Sequence, residues 1–366
     1  MIPLGRLVFA CLAYSLVVLF CAEAAARVED RLRHGVPILH TPNLDRDLLM
    51  TVDGGLRGRP FGRYKQWQLN RHGFRSPEID IPRTPGCTRV MTLGSSETFG
   101  LYEASGREYP AQLLERLQAT GCAELVNASL YGLTIPRLHH LWVTWAQQFA
   151  PDHVVIYPTP AFYLGASAPA AVVLPFPGAR PASPPPIRPL ERWESRIFDR
   201  LIDRVEVPPA IQRIRVRRSL TQAASGRPAE WFFREVPRER VDAFETHLEG
   251  LVRSIRDRGA QVVLVTHATG FGDPDSVEDR DALQAWRALL LRPTGQVLLQ
   301  FEQQARTRVL EIGRRHGVRV VDAAAAMNGH REWFAGDLIH FNEAGAGVMA
   351  DLIASALQAE HGLTTQ

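Results

Sequence analysis

Apolar positions along the chain gather into five short, dense runs separated by longer stretches with a helical period. Arg89–Leu93, Glu124–Asn127, His153–Tyr157, Gln261–Thr266 and Val318–Asp322 read as strands, being short and rich in β-branched residues. Pro110–Gln118 starts with proline at the favoured first helical position. Ile135–Phe149 lines Leu138, Leu141, Trp142 and Trp145 along one face, and Arg240–Arg258 repeats Val241, Phe244, Leu248, Leu251, Val252 and Ile255 at helical spacing. Gly259 and Gly317 stop the helices before them, the second being Phe301–His316, and Gly345–Leu357 forms a closing helix. Strands alternating with helices predict an α/β fold: a five-stranded parallel sheet in three α/β/α layers, because right-handed crossovers place helices on both faces. Loops that carry chemistry are expected at the C-terminal edge of such a sheet.

The remaining stretches lack that alternation. Leu7–Ala22 carries no charge and follows Arg6; as a helix it spans about 24 Å, and Glu23–Ala26 extend it across a bilayer core of about 30 Å. This predicts a signal-anchor transmembrane helix within residues 1–26. The alternative is a cleaved signal peptide with Ala22-Glu23-Ala24 as its small-x-small site. Arg6 on the short side favours an N-in orientation, with the bulk membrane-anchored and extracytoplasmic (periplasmic), or secreted if the segment is cleaved. Residues 27–87 read as a stalk or cover, and 88–366 as the main domain, interrupted by an insertion at about 165–237. Within it, Ala166–Pro189 is an extended Ala/Pro-rich loop. Leu190–Ser219 is a basic amphipathic helix whose Arg213, Arg215, Arg217 and Arg218 suit a solvated face, or else a lid or a contact with lipid or acidic polymer.

Composition narrows the class. With 366 residues, 45% hydrophobic and 22% charged, the chain can bury a sizeable core, and a net charge of +3 spread without basic blocks argues against nucleic acid as a partner. His139 and His140 have no acidic or cysteine neighbour at ligand spacing, so no metal site is predicted. Cys87 and Cys122 each precede a strand by three residues, ahead of Val90 and Leu125. Parallel neighbours in register would bring the sulfurs together as a disulfide, which needs an oxidising compartment; two inert thiols are the alternative.

Candidate chemistry sits where the first strand ends, in Arg89-Val90-Met91-Thr92-Leu93-Gly94-Ser95-Ser96-Glu97-Thr98-Phe99-Gly100. A serine on a tight strand-to-helix turn lies beside outward-pointing backbone N–H groups, which suits a nucleophile, although Gly and Ser also make ordinary turns. Some 240 residues on, Asp337-Leu338-Ile339-His340 places a carboxylate three residues before an imidazole, so that the carboxylate can orient the ring toward a third group.

Together these two stretches resemble the SGNH (GDSL-type) hydrolase family, in its membrane-anchored bacterial form. The resemblance implies a flavodoxin-like sheet and a serine esterase or acylhydrolase that needs no metal or organic cofactor. Ser96 would be the nucleophile, His340 its base and Asp337 the residue that fixes the imidazole tautomer. Asn127-Ala128-Ser129-Leu130-Tyr131-Gly132 resembles the family's second signature, so backbone N–H groups of Ser96 and Gly132 would form the oxyanion hole. Asn70-Arg71-His72-Gly73-Phe74-Arg75 resembles a segment that precedes the first strand in anchored members, with a packing role. Two positions depart from the family: Ser95 stands where it has Asp, and Pro160 where an Asn gives the third oxyanion donor. The hydroxyls of Thr159 and Tyr163 are the candidate substitutes. Expected substrates are small, lipid or glycan esters. Acyl transfer to extracytoplasmic polysaccharide and a non-catalytic glycan-binding module are the rival readings.

Overall fold

The strand runs assemble as one sheet, seen in a computed structural model that describes residues 4–34, 37–39, 43–165, 195–198, 209–272 and 276–361. Four short strands come first: β1 (Leu49–Val52) pairs with β2 (Gly55–Gly58) and β3 (Arg63–Tyr64) with β4 (Trp67–Gln68), both antiparallel. The main sheet follows, with β5 (Thr88–Gly94), β6 (Ala123–Asn127), β7 (His153–Tyr157), β8 (Gln261–Val265) and β9 (Arg319–Val321). Its order is β6-β5-β7-β8-β9 and every pairing is parallel. This is the predicted three-layer α/β architecture.

Strand alternation sorts the core into two layers. Met91, Leu93, Val126, Val154, Ile156, Val262 and Leu264 point to one side, where the helices Ile135–Thr144, Arg238–Arg256 and Gly295–His316 cover them. Val90, Leu125, Val155, Tyr157, Val263 and Val265 point to the other, under Tyr109–Gln118 and Glu343–His361. Both faces are therefore dry, which is why the strands read as continuous apolar runs.

Four details differ from the sequence reading. The helix expected to reach Phe149 breaks at Trp145 (φ −147°) and continues as the 3₁₀ turn Ala146–Phe149. Val277–Leu290 is an additional helix, with Ser276 capping its first turn by accepting from Asp279 N. Residues 44–81 form a cover rather than a stalk: Leu48, Trp67, Leu69, Phe74 and Ile79 all join the first core layer. In the basic part of the insertion, Pro209–Ala224 is helical; the Ala/Pro-rich loop Ala166–Pro189 and residues 190–194 and 199–208 lie outside the described residues.

The Asn70–Arg75 segment does more than pack. Asn70 Oδ1 accepts from the N–H groups of His72 and Phe74, and its amide donates to Pro77 O, curling the chain so that Phe74 enters the core. Arg75, only 4% exposed, then donates to the carbonyls of Phe99, Gly100, Glu103 and Ala104 and pairs with Glu108 at 3.2 Å. It thereby satisfies the end of the turn that follows β5.

At the N-terminus, Leu4–His34 is one helix, long and apolar enough over Val8–Arg33 to cross a membrane. At the opposite edge of the sheet from the serine turn, the β5/β6 register pairs Thr88 with Ala123. The preceding residues, Cys87 and Cys122, stand 4.5 Å apart at Cα and are joined as a disulfide, while Cys11 and Cys21 are free. Maleimide treatment of the denatured, unreduced protein is expected to give two adducts by intact mass, at Cys11 and Cys21, and four after reduction. Adducts at Cys87 or Cys122 without reductant would contradict the bridge.

Candidate active site

The site begins at a turn that only glycine permits. A Cβ on Gly94 would lie 2.0 Å from Thr98 Oγ1 and 3.0 Å from Tyr157 O, so a side chain there would block the reversal from β5 into the one-turn helix Ser96–Phe99. Ser95, which caps this helix, buries its hydroxyl with no hydrogen-bond partner among the described residues. Ser96 comes next and is half-buried. Asn127 holds the turn from the side: its amide donates to Thr98 O at 3.1 Å, while its carbonyl oxygen accepts from Thr92 Oγ1 and Ser129 N, each at 3.2 Å.

The structure brings Ser96, His340 and Asp337 together. Ser96 Oγ lies 2.8 Å from His340 Nε2, and His340 Nδ1 lies 2.7 Å from Asp337 Oδ2. The other Asp337 oxygen accepts from the N–H groups of Ile339 and His340, each at 3.0 Å. Closing so short a loop puts Leu338 at φ +60°, a conformation costing a non-glycine residue about 1–3 kcal/mol. The Leu338 side chain is buried, and Gly270 N holds its carbonyl at 2.7 Å. Burial works against charge on both partners. The hydrogen bond from His340 and the two N–H groups nevertheless keep Asp337 below the usual carboxylate range. The bond to Asp337 and the charges of Glu97, Asp337 and Glu103 keep His340 above the ordinary imidazole value. With Asp337 ionised, Nδ1 carries the proton and Nε2 is free to accept from Ser96.

A second buried chain, not foreseen from the sequence, starts at the next residue. The Glu97 carboxylate, 2% exposed, lies 3.3 Å from Ser96 Oγ, accepts from Thr159 Oγ1 at 3.1 and 3.2 Å, and sits 3.4 Å from His267 Nε2. His267 Nδ1 is in turn 2.8 Å from Glu302 Oε2. Burial lowers the affinity of His267 for a proton, but Glu302 and Glu97 outweigh it and push its pKa up to about 10, so the ring is cationic and donates at both ends. His267 follows β8 at the C-terminal edge of the sheet, and that position is the signal the sequence did hold.

Gly132 lies at the same edge, in the loop after β6, at φ +72° and exposed. Neighbouring Tyr131 stands edge-on to Phe99 with ring centroids 6.4 Å apart. The two candidate substitute donors are committed elsewhere, which corrects the expectation for them. Thr159 gives its only hydroxyl proton to Glu97. Tyr163 is carried away by the 3₁₀ turn Pro160–Leu164, which packs it against Phe244 and sets its hydroxyl 2.7 Å from His247 Nδ1. His140 is a packing residue against Gly55, and no cluster of metal-ligating side chains occurs among the described residues.

A cleft of about 1060 Å³ leads away from Asp337 and Tyr102, between the helices Pro209–Ala224 and Val277–Leu290. Val216, Leu220, Ala282 and Ala285 give it apolar walls, and Arg213 faces Asp281 across it at 3.7 Å. At its inner end the Tyr102 ring stands edge-on to His340, with centroids 5.1 Å apart.

No protein-family model matches the chain, and no curated protein matches it. Among solved structures it is similar to the lipase/acylhydrolase from Enterococcus faecalis, at 16% identity and a TM-score of 0.44 over 75% of this chain and 96% of that one. It is also similar to an acetylxylan esterase from Geobacillus stearothermophilus, at 16% identity and 0.43 over 74% and 93%. A third likeness is to a putative lipolytic protein of the G-D-S-L family from Desulfitobacterium hafniense, at 13% identity and 0.40 over 74% and 99%.

Glu103, 1% exposed beside this site, gives a stability prediction. Burial pushes its carboxyl up to about 7, against hydrogen bonds and the nearby Arg75. A glutamate in the unfolded chain loses its proton near 4.3. Between those values the folded state holds more protons, so stability falls as pH rises, by on the order of 3 kcal/mol in full. Glu103→Gln removes this dependence. Denaturation at pH 5 and pH 8 is expected to show the variant gaining on wild type at the higher pH; a constant difference would contradict the assignment.

Proposed function

We propose that this protein is a serine-dependent ester hydrolase of SGNH type, anchored by its N-terminal helix with the catalytic domain outside the cytoplasm. The observation that carries the proposal is the unbroken chain from Ser96 Oγ through His340 to Asp337, at 2.8 and 2.7 Å, beside a backbone turn suited to an anion. Three such groups, brought together from two distant parts of the sequence, have the geometry of an activated nucleophile.

In this reading His340 Nε2 takes the Ser96 proton as Oγ attacks the ester carbonyl carbon. Asp337 stabilises the imidazolium that forms. Backbone N–H groups of Ser96 and Gly132 receive the developing oxyanion. His340 then gives its proton to the departing alcohol, leaving an acyl-serine. A water molecule loses a proton to His340 and attacks that acyl carbon, and collapse of the second tetrahedral adduct releases the acid and restores Ser96. The cleft beyond Tyr102 takes the longer arm of the ester, its apolar walls suiting hydrocarbon.

The disulfide supports an oxidising compartment. Retention of the N-terminal helix is supported at Glu23, the end of its apolar run. That carboxylate is 8% exposed and accepts from Ser195 Oγ, Arg196 N and Ile197 N at 2.9–3.1 Å. Arg196 also pairs with Asp30 at 3.1 Å. Cleavage at Ala22-Glu23-Ala24 would disrupt this contact.

Hydrolysis of p-nitrophenyl acetate and butyrate tests the proposal. Ser96→Ala and His340→Ala are expected to abolish turnover, and Asp337→Asn to lower it by up to about 10⁴-fold. The base must be neutral and its folded pKa is raised, so activity should climb with pH through a midpoint above about 6.5. Turnover unchanged in Ser96→Ala, or a midpoint below that of free imidazole, would overturn it.

A further inference from the structure

We propose that Glu97 is a positioning residue for the reaction: a second carboxylate, held by the His267–Glu302 pair, that steadies the Ser96 hydroxyl and stabilises positive charge on His340. The inference rests on reading Ser96 as nucleophile and His340 as base.

Its first support is geometric. The single proton of Ser96 has two acceptors in reach, His340 Nε2 at 2.8 Å and Glu97 Oε2 at 3.3 Å, so both limit how the hydroxyl turns. Glu97 reaches the Ser96 hydroxyl that His340 Nε2 also meets, while Asp337 contacts the ring at Nδ1. When Ser96 passes its proton to His340, the new imidazolium has Asp337 bonded at Nδ1 and the Glu97 carboxylate close enough to act on its charge. That arrangement favours the charged ring most at the moment the charge appears.

The second support is the cost of keeping Glu97 there. Isolated in the interior, an ionised carboxylate is strongly unfavourable. Here Thr159 donates to it and His267 supplies a compensating cation. His267 is itself held by Glu302 at 2.8 Å. Packing alone has no use for three ionised groups in a row, because an apolar side chain would fill the space without the cost. Of this chain, the Glu97 carboxylate is the member that meets Ser96.

The groups facing these two residues are as follows. His340 meets Asp337 from its own loop, Tyr102 and Glu103 from the segment after the serine turn, and Glu97. Arg75 and Glu108 lie behind Glu103. Glu97 meets His267 after β8, with Glu302 beyond it, Thr159 after β7, and the buried phenols Tyr109 and Tyr157, whose pKa values burial and Glu97 raise. Among these groups Glu97 is the one anion that touches Ser96.

The test is an NMR titration of ring-labelled histidines in the full chain, in detergent micelles. In Glu97→Gln the His340 midpoint is expected to fall by about one pH unit or more, as for loss of an anion within about 4–6 Å. Glu97→Asp, which keeps the charge, should restore most of it. Turnover of p-nitrophenyl acetate at pH 8 should drop about 10- to 100-fold in Glu97→Gln, with the acid limb of kcat/KM moving the same way as the midpoint. A merely structural Glu97 would lower Tm and leave the His340 midpoint in place, which would overturn the proposal. Should Glu97→Gln not fold, the wild-type His267 resonances decide: both ring nitrogens protonated at pH 8 supports the chain, and a neutral ring overturns it. Serine-dependent turnover with an unmoved His340 midpoint would sink this inference alone. A moved midpoint without serine-dependent turnover would sink the esterase reading instead.

Discussion

The hydrogen bond between Ser96 and His340 joins residues 244 positions apart, and most local features of the fold hold one of its two ends. On the serine side, Gly94 allows the reversal, Asn127 ties the turn to β6, and Arg75 collects the carbonyls that the short helix leaves open. On the histidine side, Asp337 closes a loop tight enough to force Leu338 into a left-handed conformation, which Gly270 and the core hold in place. Strain of that kind persists only where surrounding packing over-determines it. Both ends rest on a sheet buried on two faces, so the distance between them is set by the core.

Charge is the second theme. Around one imidazole the structure gathers Asp337, Glu97 and Glu103, and it offsets them with His267 and Arg75 inside the protein. Each carboxylate would be unfavourable alone. Glu103 shows what happens when compensation is incomplete, since one of its oxygens is buried without a partner among the described residues and its proton affinity rises. Glu97 shows the opposite: the hydrogen bond from His267 and the neighbouring His340 and His267 rings outweigh burial and hold its carboxyl below the usual range. Two buried glutamates six residues apart are thus shifted in opposite directions because of what faces them.

Much of this was legible in the sequence. The five strands stood out because burial on both faces makes them continuous apolar runs, and the Ser96, Asp337 and His340 positions followed from a tight glycine turn and a carboxylate three residues before an imidazole. Cys87 and Cys122 were paired by their equal offsets from adjacent strands. Other parts left no periodic trace. The cover at residues 44–81 is built from strands of two to four residues, too short for alternation to register. Val277–Leu290 opens with a charged run and exposes Val277 and Leu289, which blurs its apolar face. The Glu97–His267–Glu302 chain was hidden because its members lie 170 and 35 positions apart and only the parallel topology brings them together. Tyr163 was misplaced because a proline after β7 starts a 3₁₀ turn that swings it under a helix.

Activation of Ser96 by His340 is tested most directly by intact-mass analysis of the full chain in detergent after treatment with a fluorophosphonate, which phosphonylates only an activated serine. One adduct per wild-type chain, mapped to Ser96 and absent from Ser96→Ala and His340→Ala, is the predicted result. A folded wild-type protein that takes up no adduct, or an adduct that survives in Ser96→Ala, would contradict the account.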